Sequence, residues 1–323
     1  MNKDYSVFRD PENYVPLSFR NEKLTSVKGT SYPIIAGIPR FVGSENYASD
    51  FGLQWNLFSK TQLDSHTGTN TSLERLSRCL NGHLDGINGK LVLEAGCGAG
   101  RFTEVLLKNG AIVHSFDLSN AVEANMKNNG KSKNLILAQA DIDKIPFPKR
   151  HYDYVICLGV LQHTPITENS ILNLYEMVRP GGCLIFDHYI FKWRNVLPPP
   201  IGRSDIIYGK ILLALPQEKR FKTIKKIVDF FFPLHWQYKD SLTFQRILRR
   251  ISPVHFYYPH MALRNKQMYY EWALLDTHDY LTDNYKHHRS IGQIEQLLRK
   301  LNANEIVVNE GGTGLEAFCR KPE

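Results

Sequence analysis

The residues best suited to chemistry follow one another along a single stretch of the chain. In LVLEAGCGAGRFTEVL an apolar run ends in Glu94 and passes through Gly96, Gly98 and Gly100 into a helical pattern. Glycines there let backbone approach a ligand at a helix N-terminus. A second apolar run, AIVHSFDLS, ends in Asp117, roughly 20 residues past the glycines, where a carboxylate can accept hydrogen bonds from both hydroxyls of a ribose. A third leads into AQADIDKIPF and puts Asp141 at the same edge, within reach of an adenine amino group. Beyond a fourth run stands His163 in GVLQHTP, a side chain that titrates near neutrality and suits a general base or a substrate contact. The dinucleotide fingerprint needs Gly or Ala where Arg101 stands, and the third glycine falls one position early. A nicotinamide cofactor is therefore disfavoured. Each group also has a plain structural reading: Glu94 as a strand-end carboxylate, Asp117 as a helix cap, Asp141 as a turn residue and His163 as a loop histidine.

The elements that must position these residues alternate. Short β-rich runs at 91–95, 111–117, 135–139, 152–158, 183–189, 305–309 and 315–320 are interleaved with helical periodicity at 101–109, 120–129, 168–178 and 291–301. That alternation predicts an α/β domain whose parallel sheet is covered by helices on both faces. Asn129-Gly130, Pro180-Gly181-Gly182 and Gly311-Gly312 are expected as turns between elements. About a hundred residues separate the fifth run from the helix at 291, far more than an ordinary connection. The predicted organisation is an N-terminal segment 1–47, a helical cap 48–90, a core of 91–189 with 286–323, and a helical insertion 190–285.

With these residues in place, the chain resembles the class I S-adenosylmethionine methyltransferases, particularly the bacterial small-molecule group whose members read like quinone-biosynthesis enzymes. The resemblance spans about 140 residues and rests jointly on LEAGCGAG, Asp117, ADIDKIPF, DYVICLGVLQHT and RPGG. It implies a Rossmann-like, seven-stranded, mostly parallel sheet with an antiparallel last strand at 315–320. S-adenosylmethionine is the implied cofactor. Glu94 and the backbone of Ala95, Gly96, Cys97 and Gly98 would hold its methionine portion, Asp117 with Leu118 the ribose, Asp141 and Ile142 the adenine, and Leu158 the pocket floor. By composition alone Ile142 and Leu158 read as core. The stretch TSYPIIAGIPRFV resembles the trailing half of a zinc-ribbon-like module, but its cysteine pairs are absent, so no metal is expected. The segment after it resembles helices that cap the cofactor mouth and offers Gln54, Trp55 and Arg75 as substrate-pocket candidates, with Trp55 also fitting ordinary core.

A sulfonium methyl is already activated, so the protein has mainly to align an acceptor and exclude water. His163 is the catalytic candidate. The Pro-Pro-aromatic segment of base-amine methylating enzymes is replaced by Leu158-Gly159-Val160-Leu161. A small-molecule, glycan or lipid-linked acceptor is expected instead.

The net charge of +8 is unevenly spread: residues 190–270 hold 15 Lys or Arg against 4 Asp or Glu, a balance of +11. The core is thus near neutral and nucleic acid is an unfavoured partner. The insertion reads as a lid over the acceptor, contributing Tyr285 and the neighbouring His278 and Asp279. Alternatively its run KRFKTIKKIVDFFFPLHWQYK is an interfacial helix, with Phe230, Phe231, Phe232 and Trp236 entering a headgroup layer. The five scattered cysteines exclude a disulfide framework. With no signal-type or membrane-spanning apolar stretch, the protein is expected in the cytoplasm or peripherally at the inner membrane surface. A non-catalytic binder of the same cofactor, or a membrane or nucleic-acid surface binder, is the rival reading.

Overall fold

The computed structural model describes residues 5–323 apart from 44–45, 194–196, 198–203, 259 and 313. The chain divides into two compact units, one of 1–56, 72–190 and 287–323, the other of 57–71 and 191–286.

The first unit is built on a seven-stranded sheet of β5 (Leu91–Ala95), β6 (Ile112–Asp117), β7 (Leu135–Gln139), β8 (Tyr152–Cys157), β9 (Val178–His188), β10 (Asn304–Gly311) and β11 (Gly314–Arg320). Their spatial order is β10-β11-β9-β8-β5-β6-β7. β5 through β9 pair in parallel, while β11 runs antiparallel to both β9 and β10. The expected Rossmann-like arrangement with an antiparallel last strand is what the chain adopts. Val92, Leu93, Val155, Ile156 and the stretch from Leu184 to Phe186 are fully buried, because a parallel sheet covered on both faces has no solvent side and its strands read as unbroken apolar runs. Helices α4 (Arg101–Lys108), α5 (Val122–Asn129), α6 (Thr167–Met177) and α11 (Ile291–Lys300) supply that cover. α11 starts with a capping box in which Ser290 and Gln293 satisfy each other's backbone N–H.

One local expectation differs. Pro180-Gly181-Gly182 lies inside β9 as an irregularity between Tyr152 and Tyr154 of the partner strand, not between elements. A Cβ on Gly182 would come within 2.9 Å of the Tyr152 and Asp153 carbonyls, so glycine there lets the strand approach its neighbour and resume pairing. The N-terminal segment forms its own antiparallel sheet, β1 (Leu17–Arg20), β2 (Lys23–Ser26), β3 (Ser31–Ile35) and β4 (Ile38–Pro39). It extends onto the edge of β7: Phe41 N donates to Gln139 O at 2.8 Å, and buried Arg40 bonds Gln139 Oε1 and Glu123 Oε1, both at 3.0 Å. An edge strand's unpaired backbone is thereby covered.

The second unit is helical: α2 (Asp64–Thr67), α7 (Asp205–Leu213), α8 (Gln217–Gln237), α9 (Leu242–Leu248) and α10 (Lys266–Thr282). Residues 57–71, expected in the cap, group here, where Phe58 packs on this unit's core. The cap's other helices, α1 (Ser49–Leu57) and α3 (Thr71–Cys79), lie largely in the first unit. α8 buries Ile224, Val228, Phe232 and His235, an apolar stripe at helical spacing. Of the four aromatics expected to face a headgroup layer, Phe232 is instead core, Phe231 and Trp236 are partly buried against that core, and only Phe230 is exposed, at 69%. Helical rotation decides this, since Phe232 stands four residues from Val228 and shares its face.

Among the described residues no helix is long and apolar enough to cross a membrane, and no three His, Cys, Asp or Glu side chains gather as a metal set.

Candidate functional site

In the sheet order β5 stands between β6 and β8, so the chain leaves it first toward one edge and later returns on the other side. That reversal is the topological switch point, where open α/β sheets bind ligands outside the strands' carboxyl ends. Glu94, the glycine loop, Asp117, Leu158 and Asp187 all lie at those ends.

Gly96 and Cys97 both donate backbone N–H to Phe116 O, at 2.8 and 3.1 Å, and Gly98 N donates to Asp117 Oδ2 at 2.9 Å. The loop is thus stitched onto the end of β6. Gly96 has φ +71° and a Cβ there would run into the Val160 side chain; at Gly100, φ +90°, it would meet the amides of Asn125 and Asn129. These two positions require glycine on both counts. Asn128 and Asn129 donate to the Ala99 and Gly100 carbonyls at 2.9 and 3.0 Å, fixing the loop against α5.

Glu94 is 2% exposed. Its Oε2 accepts from Thr103 Oγ1 at 2.5 Å and Ser115 Oγ at 2.6 Å, while buried Oε1 has no hydrogen-bond partner among the described residues. Burial pushes this carboxyl up to about 7, with neighbouring Asp117 adding to the effect. Asp117 accepts from Ser119 N at 2.8 Å and Ser119 Oγ at 2.7 Å as well as from Gly98. Burial raises its carboxyl too, and those hydrogen bonds oppose the rise. Asp141 caps its own turn by accepting from Asp143 N at 2.9 Å. Ile142 and Leu158, each 6% exposed, belong to the two cores flanking the sheet.

α1 lies across this edge. Asn56 donates to Asn120 O at 3.0 Å, beside Leu118 and Ser119, and Gly52 fits closely against Asn120. The Trp55 indole stands about 3.5 Å from where a Gly98 Cβ would be. Trp55 therefore flanks the glycine loop, and Gln54 beside it is fully buried. Phe51 reaches His163, ring centroids 5.4 Å apart.

His163 ends a short 3-10 turn, Leu161–His163, and is 8% exposed. Its Nε2 is 3.0 Å from the Gln162 amide nitrogen, and Tyr189 meets its ring edge-on at 5.5 Å. Tyr189 in turn faces His288 at 5.8 Å. The segment 287–289 is fixed there by His287 N to Gln162 O, Arg289 N to Tyr189 O, both 3.0 Å, and a two-point Arg289–Glu168 pair. Tyr189 and His288 were not legible as a cluster, because His288 returns only after the whole insertion.

Arg75, on α3, reaches Asp187 on β9 through two guanidinium nitrogens, and Asp187 Oδ1 accepts from Gly159 N at 2.6 Å. With Asp187 1% exposed, this buried pair anchors the backbone after β8. Beside it His188, also 1% exposed, is driven down to about 4 by burial and stays neutral at physiological pH. Sequence reasoning missed Thr103, Ser115 and Asp187. The available signal was a polar Ser115 and Asp187 inside otherwise apolar strands. Tyr285 falls in the second unit, where its backbone N–H donates to Asp283 Oδ1 at 3.0 Å.

Residues 93–186, which hold β5 through most of β9 and this edge, match the family described as Methyltransferase domain. This part of the chain is a class I methyltransferase domain. Beyond it, the chain is 33% identical over 102 residues to a ubiquinone biosynthesis O-methyltransferase of Coxiella burnetii, covering 31% of this chain and 44% of that protein. It is 31% identical over 132 residues to the protein so named from an Azoarcus species, covering 40% and 56%. The chain thus spans about half the length of the curated relatives it matches. Among solved structures it is similar to an N-methyltransferase from Bradyrhizobium japonicum in complex with S-adenosyl-L-homocysteine, with 17% identity, TM-score 0.42, and 77% of this chain and 87% of that one covered. The matched segment lies wholly within the first unit.

Proposed function

We propose that this chain transfers a methyl group from S-adenosylmethionine to a small-molecule acceptor. The observation that carries the reading is the Glu94 carboxylate, buried at the switch point beside the glycine loop with Oε1 unpartnered among the described residues. A buried carboxylate oxygen is costly without a donor, and a cationic amine such as an α-ammonium is the donor that fits. In this reading Glu94 and the backbone from Ala95 to Gly98 hold the methionine portion, Asp117 and Leu118 the ribose, Asp141 and Ile142 the adenine, and Leu158 walls the pocket. Trp55 shields the loop from water.

S-adenosylmethionine, when bound, supplies a methyl already activated on a sulfonium. What the chain adds is alignment, exclusion of water and a group to take a proton from the acceptor. His163 is that group, held by Phe51 and Tyr189. The relatives' name favours methylation on oxygen, and a glycan or lipid-linked hydroxyl belongs to the same class of acceptor. Incubating the protein with methyl-labelled cofactor and fractionated extract tests the activity. Cofactor binding without any labelled product would identify a non-catalytic binder instead.

Asp117→Ala is expected to weaken cofactor binding by about 1–3 kcal/mol through loss of two charge-assisted hydrogen bonds, while nicotinamide dinucleotides bind neither protein. Titration calorimetry decides this, and an unchanged affinity removes Asp117 from the site. His163→Ala is expected to lower kcat about 100-fold or more with the cofactor's Kd unaltered. A KM effect alone would make His163 a contact residue and not the base.

A further inference from the structure

From the second unit taken by itself we infer an interfacial face that docks on an anionic lipid bilayer surface. The inference stands apart from methyl transfer, since its readout needs no acceptor.

Three surfaces of this unit mix cations with large apolar side chains that face solvent. On α7, Ile207 and Ile211 are 47% and 59% exposed, with exposed Lys210 between them. On α8 the solvent stripe carries Lys219, Lys222 and Lys226 and continues one turn on into Phe230. On α9 and the turn after it, Leu242, Ile247 and Ile251 are 57–59% exposed and alternate with exposed Arg246 and Arg250. Isolated exposed apolar residues are ordinary. Here the second unit, about a third of the chain, carries more than half of the strongly exposed large apolar side chains described. It also contains the stretch 191–270, whose balance is +11.

Charge complementarity selects the occupant. Lysines on one helix face with an aromatic at its end suit the headgroup layer: the cations meet anionic lipid while the apolar tips enter the acyl boundary. Of the two acids on α8, Glu218 and Asp229, the one beside Phe230 is Asp229, which is paired with Lys225 at 2.8 Å and accepts from the Tyr270 hydroxyl, so its charge is offset at such a surface. A nucleic acid would use the cations and leave Ile207, Ile211, Leu242, Ile247 and Ile251 in water. A protein partner would not need so large a single-sign charge.

The test is co-sedimentation of the full chain with phosphatidylcholine vesicles, with and without phosphatidylglycerol. Binding is expected to the phosphatidylglycerol vesicles and to weaken with salt. The variant with Lys219→Glu, Lys222→Glu and Lys226→Glu should lower the partition coefficient about 100-fold, at about fivefold per cation. The variant with Ile207→Ser, Ile211→Ser and Phe230→Ser should lower it at least about tenfold. All six positions are exposed, and an unchanged circular dichroism melt verifies folding of each variant. Failure to sediment with phosphatidylglycerol vesicles overturns the inference. So does equal sedimentation by parent and variants, a concentration-dependent dimer that only the apolar variant abolishes, or RNA binding that the apolar variant leaves intact while vesicle binding is nil.

Discussion

Glu94→Gln is expected to stabilise the cofactor-free protein relative to the parent as pH rises and, at the same time, to weaken S-adenosylmethionine binding about 30- to 100-fold. The two effects have one origin. Burial raises the Glu94 carboxyl from an ordinary 4.5 to about 7. An acid raised on folding contributes stability that is fully present below about pH 4.5 and is lost as pH rises through about 7. Above that, the protein holds an ionised, buried carboxylate with one oxygen lacking a donor, a cost of about 3 kcal/mol by linkage. An amide keeps an oxygen for Thr103 and Ser115 and does not ionise. Its NH2 is itself left without an acceptor, so the absolute stability shifts less than the pH dependence does. Between about pH 5 and pH 8 the stability difference should move in the variant's favour by about 2–3 kcal/mol, read from denaturant unfolding at each pH. Cofactor affinity should respond in the opposite sense. A bound ammonium favours ionised Glu94, so affinity of the parent should rise several-fold from about pH 6 to about pH 7.5, and that slope should vanish in Glu94→Gln. The loss of 30- to 100-fold corresponds to about 2–3 kcal/mol for one charge-assisted contact. Parallel pH curves for the two proteins would show that Glu94 is a structural carboxylate and that the amine sits elsewhere.

Arg75→Met should be the most destabilising single change at this edge, by about 3–5 kcal/mol. It removes the charge partner of Asp187, which is 1% exposed and accepts from Gly159 N at 2.6 Å. The expected rescue is specific: Asp187→Asn in the Arg75→Met background should recover most of the loss, because no buried charge is then left uncompensated. Urea denaturation of the two single variants and the double variant measures the cycle. The same set separates the two readings of Arg75. As a positioning residue for the backbone after β8, its loss should leave methyl transfer by the rescued double variant close to the parent's. As a contact for an anionic acceptor, it should leave the double variant stable but with KM raised at least tenfold. Additive single-variant costs would show that the pair does not couple.

Much of this architecture was legible in one dimension, for local reasons. Strand, glycine turn and helix around Glu94 are dictated by neighbours: an apolar run to be buried, and backbone angles at Gly96 and Gly100 that side chains disfavour. The order of strands and helices in the core, the antiparallel β11 and the carboxylates Glu94 and Asp117 at strand ends followed from periodicity and spacing, with family resemblance fixing the sheet's last strand. What the sequence could not supply was whatever depends on partners distant in the chain. Arg75 and Asp187 meet across 112 residues. His163 and Tyr189 are joined by His288 only once the insertion has returned the chain to the sheet. Residues 57–71 left the expected cap for the second unit because Phe58 finds its apolar partners there. Phe232 and Phe230, two positions apart in one aromatic run, were separated into core and solvent by the turn of a single helix. Even the ionisation of Glu94 is a tertiary property. Its type and place in the strand are set by sequence, but the desolvation that raises its carboxyl comes from β6, α4 and the loop closing around it.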